Sequence, residues 1–136
     1  MKVYDGRFDK KALPTKHTIA VVSANRIICG ENDQMTIRRN GREDWSLFYC
    51  EAGKLYFEDC VLEAGQVWIY APNVPQKYTM YSKDKTIYHY LHFTGSDVTN
   101  ILRSYGIPKD KHVFYCGKGL DYQNHFRLMI QELQMC

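Results

Sequence analysis

The chain has 136 residues, of which 45% are hydrophobic and 24% are charged, and its formal net charge is +3. This is enough for one globular domain with its own core, and the sparse positive charge argues against a nucleic-acid-binding face in this part. The five cysteines include no Cys-x-x-Cys pair, which disfavours both a disulfide framework and a zinc finger.

Neither a signal peptide nor an apolar run of membrane-spanning length is present in the sequence, so we expect a cytoplasmic domain without membrane contact. Residues 1–17 show no sustained hydrophobic period and are predicted to form an N-terminal arm, with a disordered terminus as the alternative. Residues 19–22 and 26–30 predict the first strands, joined by residues 23–25. A short strand is predicted at residues 35–37.

From residue 45 onward, the sequence pattern predicts closely spaced β-strands. Residues 45–50 and 55–62 predict two strands joined by a glycine-containing hairpin connection. Residues 63–78 predict a turn at Ala64-Gly65, a strand buried on both faces, a corner at Pro72 and Pro75, and the start of another strand. Strand, corner and strand in this order are typical of a small antiparallel barrel, which often holds one ligand.

The last predicted β-strand covers residues 86–93. Ile87, His89, Leu91 and Phe93 share one of its faces, and Tyr88, Tyr90 and His92 share the other. Alternation alone leaves open which of these faces looks into the barrel.

Helical periodicity follows the strands. Asp97 is the predicted N-cap of a first helix that closes at Gly106, and residues 109–119 are predicted to be a connector. Asp121 is predicted to cap a second helix with an apolar stripe. We expect this stripe to form a homodimer seam through Phe126, Met129, Ile130 and Leu133.

The segment DWSLFYCEAGKLYFEDCVLEAGQVWIYAPNVPQKYTMY, followed by YHYLHFTG, resembles the amino-terminal sensor domain of AraC-family transcription regulators. The resemblance implies a mainly β fold, with a cupin-like antiparallel β-barrel at residues 18–95 and two α-helices in a dimerisation segment at residues 96–136. It also implies a small effector inside the barrel and DNA binding by a C-terminal helix-turn-helix domain absent from this chain. Sugars are the family's best-known effectors, and other small polar or aromatic compounds suit this barrel equally.

Position by position, the resemblance implies four ligand-binding residues, which are Arg38, Tyr78, Tyr88 and Tyr90. The residue chemistry agrees in part, because tyrosine hydroxyls and a guanidinium fork suit sugar hydroxyls or a carboxylate. Trp68 is expected to be core, and His92 is expected to be a structural, hydrogen-bonded histidine.

The chain departs from cupin enzymes in lacking a His-x-His motif. His89 and His92 lie three residues apart on a strand and should point to opposite faces, so they should not share one metal ion. Gln66 and Gln76 stand where the family often has an acid and an imidazole. We therefore expect a non-catalytic sensor domain with no metal or cofactor. The alternatives are a free-standing cupin enzyme acting on a small metabolite and a plain dimerisation module with a filled barrel.

Overall fold

The computed structural model describes residues 2–7, 20–58, 60–104 and 113–115, and this part of the chain is mainly β, as predicted. Its strands are β1 (Lys2–Arg7), β2 (Ala20–Ile28), β3 (Gln34–Arg38), β4 (Trp45–Ala52), β5 (Lys54–Phe57), β6 (Cys60–Glu63), β7 (Gln66–Tyr70), β8 (Gln76–Met80), β9 (Ile87–Thr94) and β10 (Val113–Tyr115). A 3₁₀ turn spans Ser82–Asp84, and helix α1 spans Val98–Ser104. Neither the turn nor the helix is long and apolar enough to cross a membrane.

The strands form two antiparallel sheets, one ordered β1-β2-β9-β4-β7-β10 and the other β3-β8-β5-β6. Without the outer strands β1 and β10, the first sheet has the order β2-β9-β4-β7. The chain crosses between the sheets at every step from β2 to β9 except the β5–β6 hairpin. Two four-stranded sheets connected in this way form a double Greek-key jelly roll, which is the arrangement of cupin folds. The predicted cupin-like antiparallel architecture is therefore confirmed.

Apolar side chains are buried on both faces of the six-stranded sheet. The core between the two sheets is formed by Ile27, Phe48, Cys50, Leu55, Phe57, Leu62, Tyr70, Met80 and Tyr88. A second core lies on the outer face, where Val98 and Leu102 of α1 pack against residues that include Trp45, Tyr49, Val67, Ile69, Leu91 and Phe93. The prediction that the strand at residues 67–70 is buried on both faces is confirmed.

The predicted corner between β7 and β8 is present. The chain turns through Pro72 and Pro75 before β8 begins, and Gly65, with a φ of 91° that favours glycine, forms the separate turn before β7. The Tyr70 hydroxyl accepts a hydrogen bond from the Lys77 N–H and donates one to its carbonyl oxygen, both at 3.3 Å. Tyr70 therefore ties the two ends of the corner together.

Three predicted element boundaries are wrong. Residues 20–28 form one continuous strand rather than two, because Ser23 and Asn25 pair with β9 instead of ending the ladder. Residues 55–62 form two strands rather than one, with Glu58 at a φ of 28° before β6 begins. The segment expected to be a connector contains β10, which pairs with β7.

Both ends of the chain are described only in part. Lys2–Arg7 of the expected arm forms an antiparallel edge strand against β2. Helix α1 begins directly after Asp97, at the position predicted from the sequence. The predicted end of that helix at Gly106, the second predicted helix and its dimer stripe of Phe126, Met129, Ile130 and Leu133 lie outside the described residues.

We predict that Gly53→Ala lowers the free energy of unfolding by about 2 kcal/mol or more. Gly53 has a φ of 76°, and a Cβ there would lie 2.6 Å from the Asp84 carbonyl oxygen and 2.7 Å from the Thr86 Cα. Urea unfolding monitored by circular dichroism measures the change. Gly30→Ala is the matched control, because the φ of Gly30 is not positive. Equal losses in both variants would contradict the proposed backbone strain.

Candidate ligand-binding site

The structure decides which face of β9 looks into the barrel. Tyr88 belongs to the core between the sheets, whereas Leu91 and Phe93 belong to the core on the outer face. Tyr90 and His92 alternate with the outward residues and share the inward face with Tyr88. The candidate site therefore lies between the sheets, on the tyrosine side of β9.

The inward side chains form layers, because cross-strand partners in a sheet share a face. The first layer is polar and is called the polar layer below. In one sheet His92 pairs with both Ser23 and Ser46, and in the other Arg38 pairs with Gln76. The Gln76 Nε2 donates to the Ser46 Oγ at 3.4 Å and so joins the two sheets. Ser23 Oγ and His92 Nδ1 lie 2.9 Å apart, at hydrogen-bond distance.

The second layer, called the aromatic layer below, lies one step further along the strands. Tyr90 pairs with Asn25 and Phe48 in one sheet, and Tyr78 pairs with Thr36 in the other. The ring centroid of Phe48 lies 4.8 Å from that of Tyr78 and 6.3 Å from that of Tyr90. Phe48 therefore connects tyrosines from both sheets.

Asn25 places an amide inside the aromatic layer. Its side chain is only 2% exposed, and its Nδ2 donates to the Tyr90 hydroxyl. The Oδ1 of the same amide is buried and has no hydrogen-bond partner in the described part of the chain. An unsatisfied buried acceptor costs about 1–3 kcal/mol, so this oxygen is a ready partner for a donor on a bound molecule.

The third layer is apolar and contains Tyr88, which pairs with Ile27 and Cys50. Burial raises the pKa of the Tyr88 hydroxyl well above its ordinary value, and the neighbouring Tyr78 and Tyr90 add to the shift. Tyr88 is therefore neutral at any physiological pH. The interior thus changes from polar at His92 to apolar at Tyr88.

An ion pair borders the polar layer. Asp44 is 2% exposed, and its carboxylate accepts two hydrogen bonds from the Arg42 guanidinium, at 2.7 and 3.2 Å. Burial, together with the charges of Arg42 and Arg38 and against the opposing effect of Asp44, lowers the pKa of His92 to about 4. His92 is consequently a neutral imidazole at neutral pH.

The four residues expected to bind ligand all lie on strand faces that point inward. The ring centroids of Tyr88 and Tyr90 lie 6.4 Å apart. The Phe48 ring contacts both Tyr78 and Tyr88 and so links Tyr78 to this pair. Arg38 ends edge strand β3, pairs with the inward-facing Gln76, and has an exposed side chain. The structure therefore places the tyrosines inside the barrel and the arginine at its open edge.

Several inward polar residues were not expected from the sequence, namely Ser23, Asn25, Ser46 and Gln76 as hydrogen-bonding groups. The alternation of Ser23 and Asn25 within an otherwise apolar strand was the available signal for two of them. Trp68 is partly buried and stacks on Phe57 with centroids 4.8 Å apart, in agreement with its expected core role.

The described residues do not fit a cupin metal centre. His92 faces inward, whereas His89 faces outward and lies 3.0 Å from Glu51, which also pairs with Arg26 at 2.8 Å. Within the described ranges, no three His, Cys, Asp or Glu side chains are grouped so that they could hold a metal ion. We therefore derive no chemistry through a metal for this site.

No family model and no curated protein sequence matches this chain. Among solved structures, a mutant of the Bacillus subtilis oxalate decarboxylase OxdC is 12% identical, with a TM-score of 0.43, over 82% of this chain and 37% of that chain. The formate complex of Lactobacillus farciminis oxalate decarboxylase is 12% identical, with a TM-score of 0.44, over 85% of this chain and 42% of that chain. This chain thus spans well under half of either protein. The jelly-roll assignment rests on the strand order of the two sheets.

Proposed function

We propose that this chain is the effector-sensing and dimerisation domain of an AraC-type transcription regulator. In this proposal a small polar molecule, such as a sugar or a similar metabolite, binds between the two sheets and controls DNA binding by a C-terminal domain outside this sequence. Two observations support it, the resemblance of residues 38–95 to such sensor domains and the jelly-roll fold with its polar layer.

The observation that carries the proposal is the set of buried hydrogen-bonding groups that converge from four strands. Ser23, Asn25, Ser46, Gln76 and His92 all face the interior, and each is buried or partly buried. Directed polar groups set in an aromatic interior are the usual composition of a small-molecule site. Because the Asn25 Oδ1 lacks a partner within the described residues, a bound donor can satisfy it.

The main alternative is a free-standing cupin enzyme. General acid–base catalysis needs a titratable group poised near neutral pH and aimed at substrate. In the described interior, the Asp44 carboxylate already accepts hydrogen bonds from Arg42. The pKa of His92, about 4, lies far below neutral pH, so its imidazole is neutral there. These features favour recognition over catalysis.

Effector binding predicts a rise in thermal stability, because a ligand that binds only the folded state stabilises it by mass action. The test is a thermal-shift screen of sugars and small metabolites on the purified chain, followed by calorimetry on the compounds that raise Tm. Asn25→Ser should weaken binding of such a compound by about tenfold. Asn100→Ser is the matched control, because Asn100 is exposed on α1.

Two results would contradict the proposal. If no small metabolite raises Tm and the purified protein carries a stoichiometric metal ion, the enzyme alternative replaces it. If ligands bind but Asn25→Ser and Asn100→Ser behave alike, the site lies outside the barrel interior.

The homodimer is part of the same proposal and rests on the apolar stripe in the sequence. Leu133→Asp places a charge in that stripe and should give a monomer in sedimentation velocity at a concentration where the parent chain is dimeric. Gln134→Asp adds the same charge beside the stripe and should leave the dimer intact. A dimer that survives Leu133→Asp would move the interface elsewhere.

A further inference from the structure

The charges around the polar layer do not cancel. The carboxylate of Asp44 is buried beside this layer, and both of its oxygens accept hydrogen bonds from Arg42. Arg38 makes no ion pair with any of the described residues, although it stands beside the inward-facing Gln76. The open edge of the polar layer therefore carries one positive charge that the described part of the protein leaves uncompensated.

The Arg38 guanidinium is close enough to the interior to act on it. Its charge is one of the causes that lower the pKa of the buried His92. Burial is the main cause of the lowered pKa, so His92 is neutral at neutral pH and does not compete with Arg38 for a negative partner. A guanidinium fork binds a carboxylate through two parallel hydrogen bonds, which a neutral sugar hydroxyl cannot reproduce.

The aromatic layer next to this charge provides two different contacts. The ring centroid of Phe48 lies 4.8 Å from that of Tyr78 and 6.3 Å from that of Tyr90, so these rings pack against Phe48 and form an aromatic wall. In the same layer the buried Asn25 Oδ1 has no hydrogen-bond donor among the described residues. The layer thus suits a planar ring that carries a hydroxyl group.

The spacing of the two layers relates these contacts. His92 and Tyr90 are two residues apart on β9, and so are Arg38 and Thr36 on β3. Two residues of a strand span roughly 6.6 Å. Along the strand direction, a carboxylate on the polar layer and a hydroxyl on the aromatic layer are then separated by about the width of a benzene ring.

We propose that the effector of this domain is a hydroxylated aromatic carboxylate whose carboxylate and hydroxyl groups lie at opposite ends of the ring. Arg38 pairs with the carboxylate, the tyrosines of the aromatic layer contact the ring, and the hydroxyl donates to the Asn25 Oδ1. This inference rests on the proposed sensing function and narrows its ligand class from polar metabolites to acids.

The test is isothermal titration calorimetry with three probes. Para-hydroxybenzoate carries both groups in the required positions, para-hydroxybenzyl alcohol lacks the carboxylate, and salicylate places the hydroxyl beside the carboxylate. We expect para-hydroxybenzoate to bind about 10- to 100-fold more tightly than either of the others. The alcohol loses the charge-assisted hydrogen bond to Arg38, and salicylate loses the hydrogen bond that satisfies the buried Asn25 Oδ1.

Arg38→Gln should reduce para-hydroxybenzoate affinity to that of the alcohol and leave the alcohol's own affinity unchanged. Arg39→Gln removes the same charge from the next, exposed position and should change neither affinity. Because the Arg38 side chain is exposed, the Arg38→Gln variant is expected to fold, and a circular dichroism melt checks this.

Each other outcome overturns the acid inference and separates it from the sensing function. Equal binding of acid and alcohol that depends on Asn25 keeps the sensing function but rejects an acidic ligand. A sugar that raises Tm while none of the aromatic acids binds does the same. If Arg38→Gln and Arg39→Gln lose para-hydroxybenzoate affinity equally, the acid binds through general surface charge. If none of the three probes binds, the acidic ligand is rejected, whatever the metabolite screen shows.

Discussion

Phe48→Ala is expected to lower the free energy of unfolding by about 3–5 kcal/mol, the range for removing a buried aromatic ring from a core. Phe48 is 1% exposed and lies within 4.8–6.3 Å, between ring centroids, of Phe57, Tyr70, Tyr78, Tyr88 and Tyr90. These five rings come from both sheets, so the substitution removes a central part of the packing between the sheets. Urea unfolding followed by tryptophan fluorescence and circular dichroism measures it.

The position also tests whether the aromatic layer is a single packed unit. Met35→Ala is the control, because Met35 is 60% exposed on edge strand β3 and should change stability by less than about 0.5 kcal/mol. Phe48→Leu should fall between the two, because it keeps an apolar side chain but loses the ring contacts. A Phe48→Ala loss as small as that of Met35→Ala would mean that the sheets do not meet through this ring.

Lowering the pH from 6.5 towards 4 is expected to destabilise the fold by about 3 kcal/mol through His92 alone. In the folded protein its pKa is lowered from 6.5 to about 4, chiefly by burial. Between pH 6.5 and pH 4, His92 is protonated in the unfolded chain but not in the folded chain, so the free energy of unfolding falls as the pH falls. Above 6.5 both states are neutral and the contribution is constant.

Two other groups on the outer face of the six-stranded sheet change stability in the same direction. Burial also lowers the pKa of His89, against the opposing effect of its hydrogen bond to the Glu51 carboxylate. The pKa of Glu51 is lowered despite its burial, because Arg26 and His89 hydrogen-bond to its carboxylate, so its contribution is lost at more acidic pH. Any measurement of the parent chain alone combines these effects with that of His92.

His92→Gln isolates the contribution of His92, because glutamine can keep a hydrogen bond to Ser23 and does not titrate. When unfolding free energies are measured in urea from pH 7 to pH 4, the parent should lose about 3 kcal/mol more than the variant as the pH falls. Parallel pH profiles would show that His92 is not buried in its neutral form. The groups that face it, Arg38, Arg42 and Asp44, are the same in both proteins.

The local chemistry of the sequence was sufficient for many of the elements. Gly65 predicts the turn before β7, and Pro72 and Pro75 predict the corner after it, since positive φ and a missing N–H are properties of single residues. Alternation correctly separates Tyr88, Tyr90 and His92 from His89, Leu91 and Phe93, because side chains of a strand point to opposite faces whatever surrounds it. Asp97 correctly marks the start of α1.

Local chemistry was insufficient where pairing overrides propensity. Ser23 and Asn25 resemble a link between strands, yet their hydrogen bonds to His92 and Tyr90 keep β2 continuous. Those partners lie more than 60 residues away in the chain, at separations of 69 and 65. No local pattern contains such contacts, so the polar groups of the candidate site were only partly predictable.

The sequence by itself determined that this domain is mainly β, where its main corner lies, and which side chains share a face of β9. The tertiary structure alone decided which face is interior and which residues meet across it. The physical reason is that alternation is a property of one strand, whereas the interior is defined by how strands distant in the chain pair and how the two sheets pack. Arg38, Tyr78, Tyr88 and Tyr90 are named by the resemblance to sensor domains, whereas Asn25 and the polar layer that surrounds His92 emerged only from the fold.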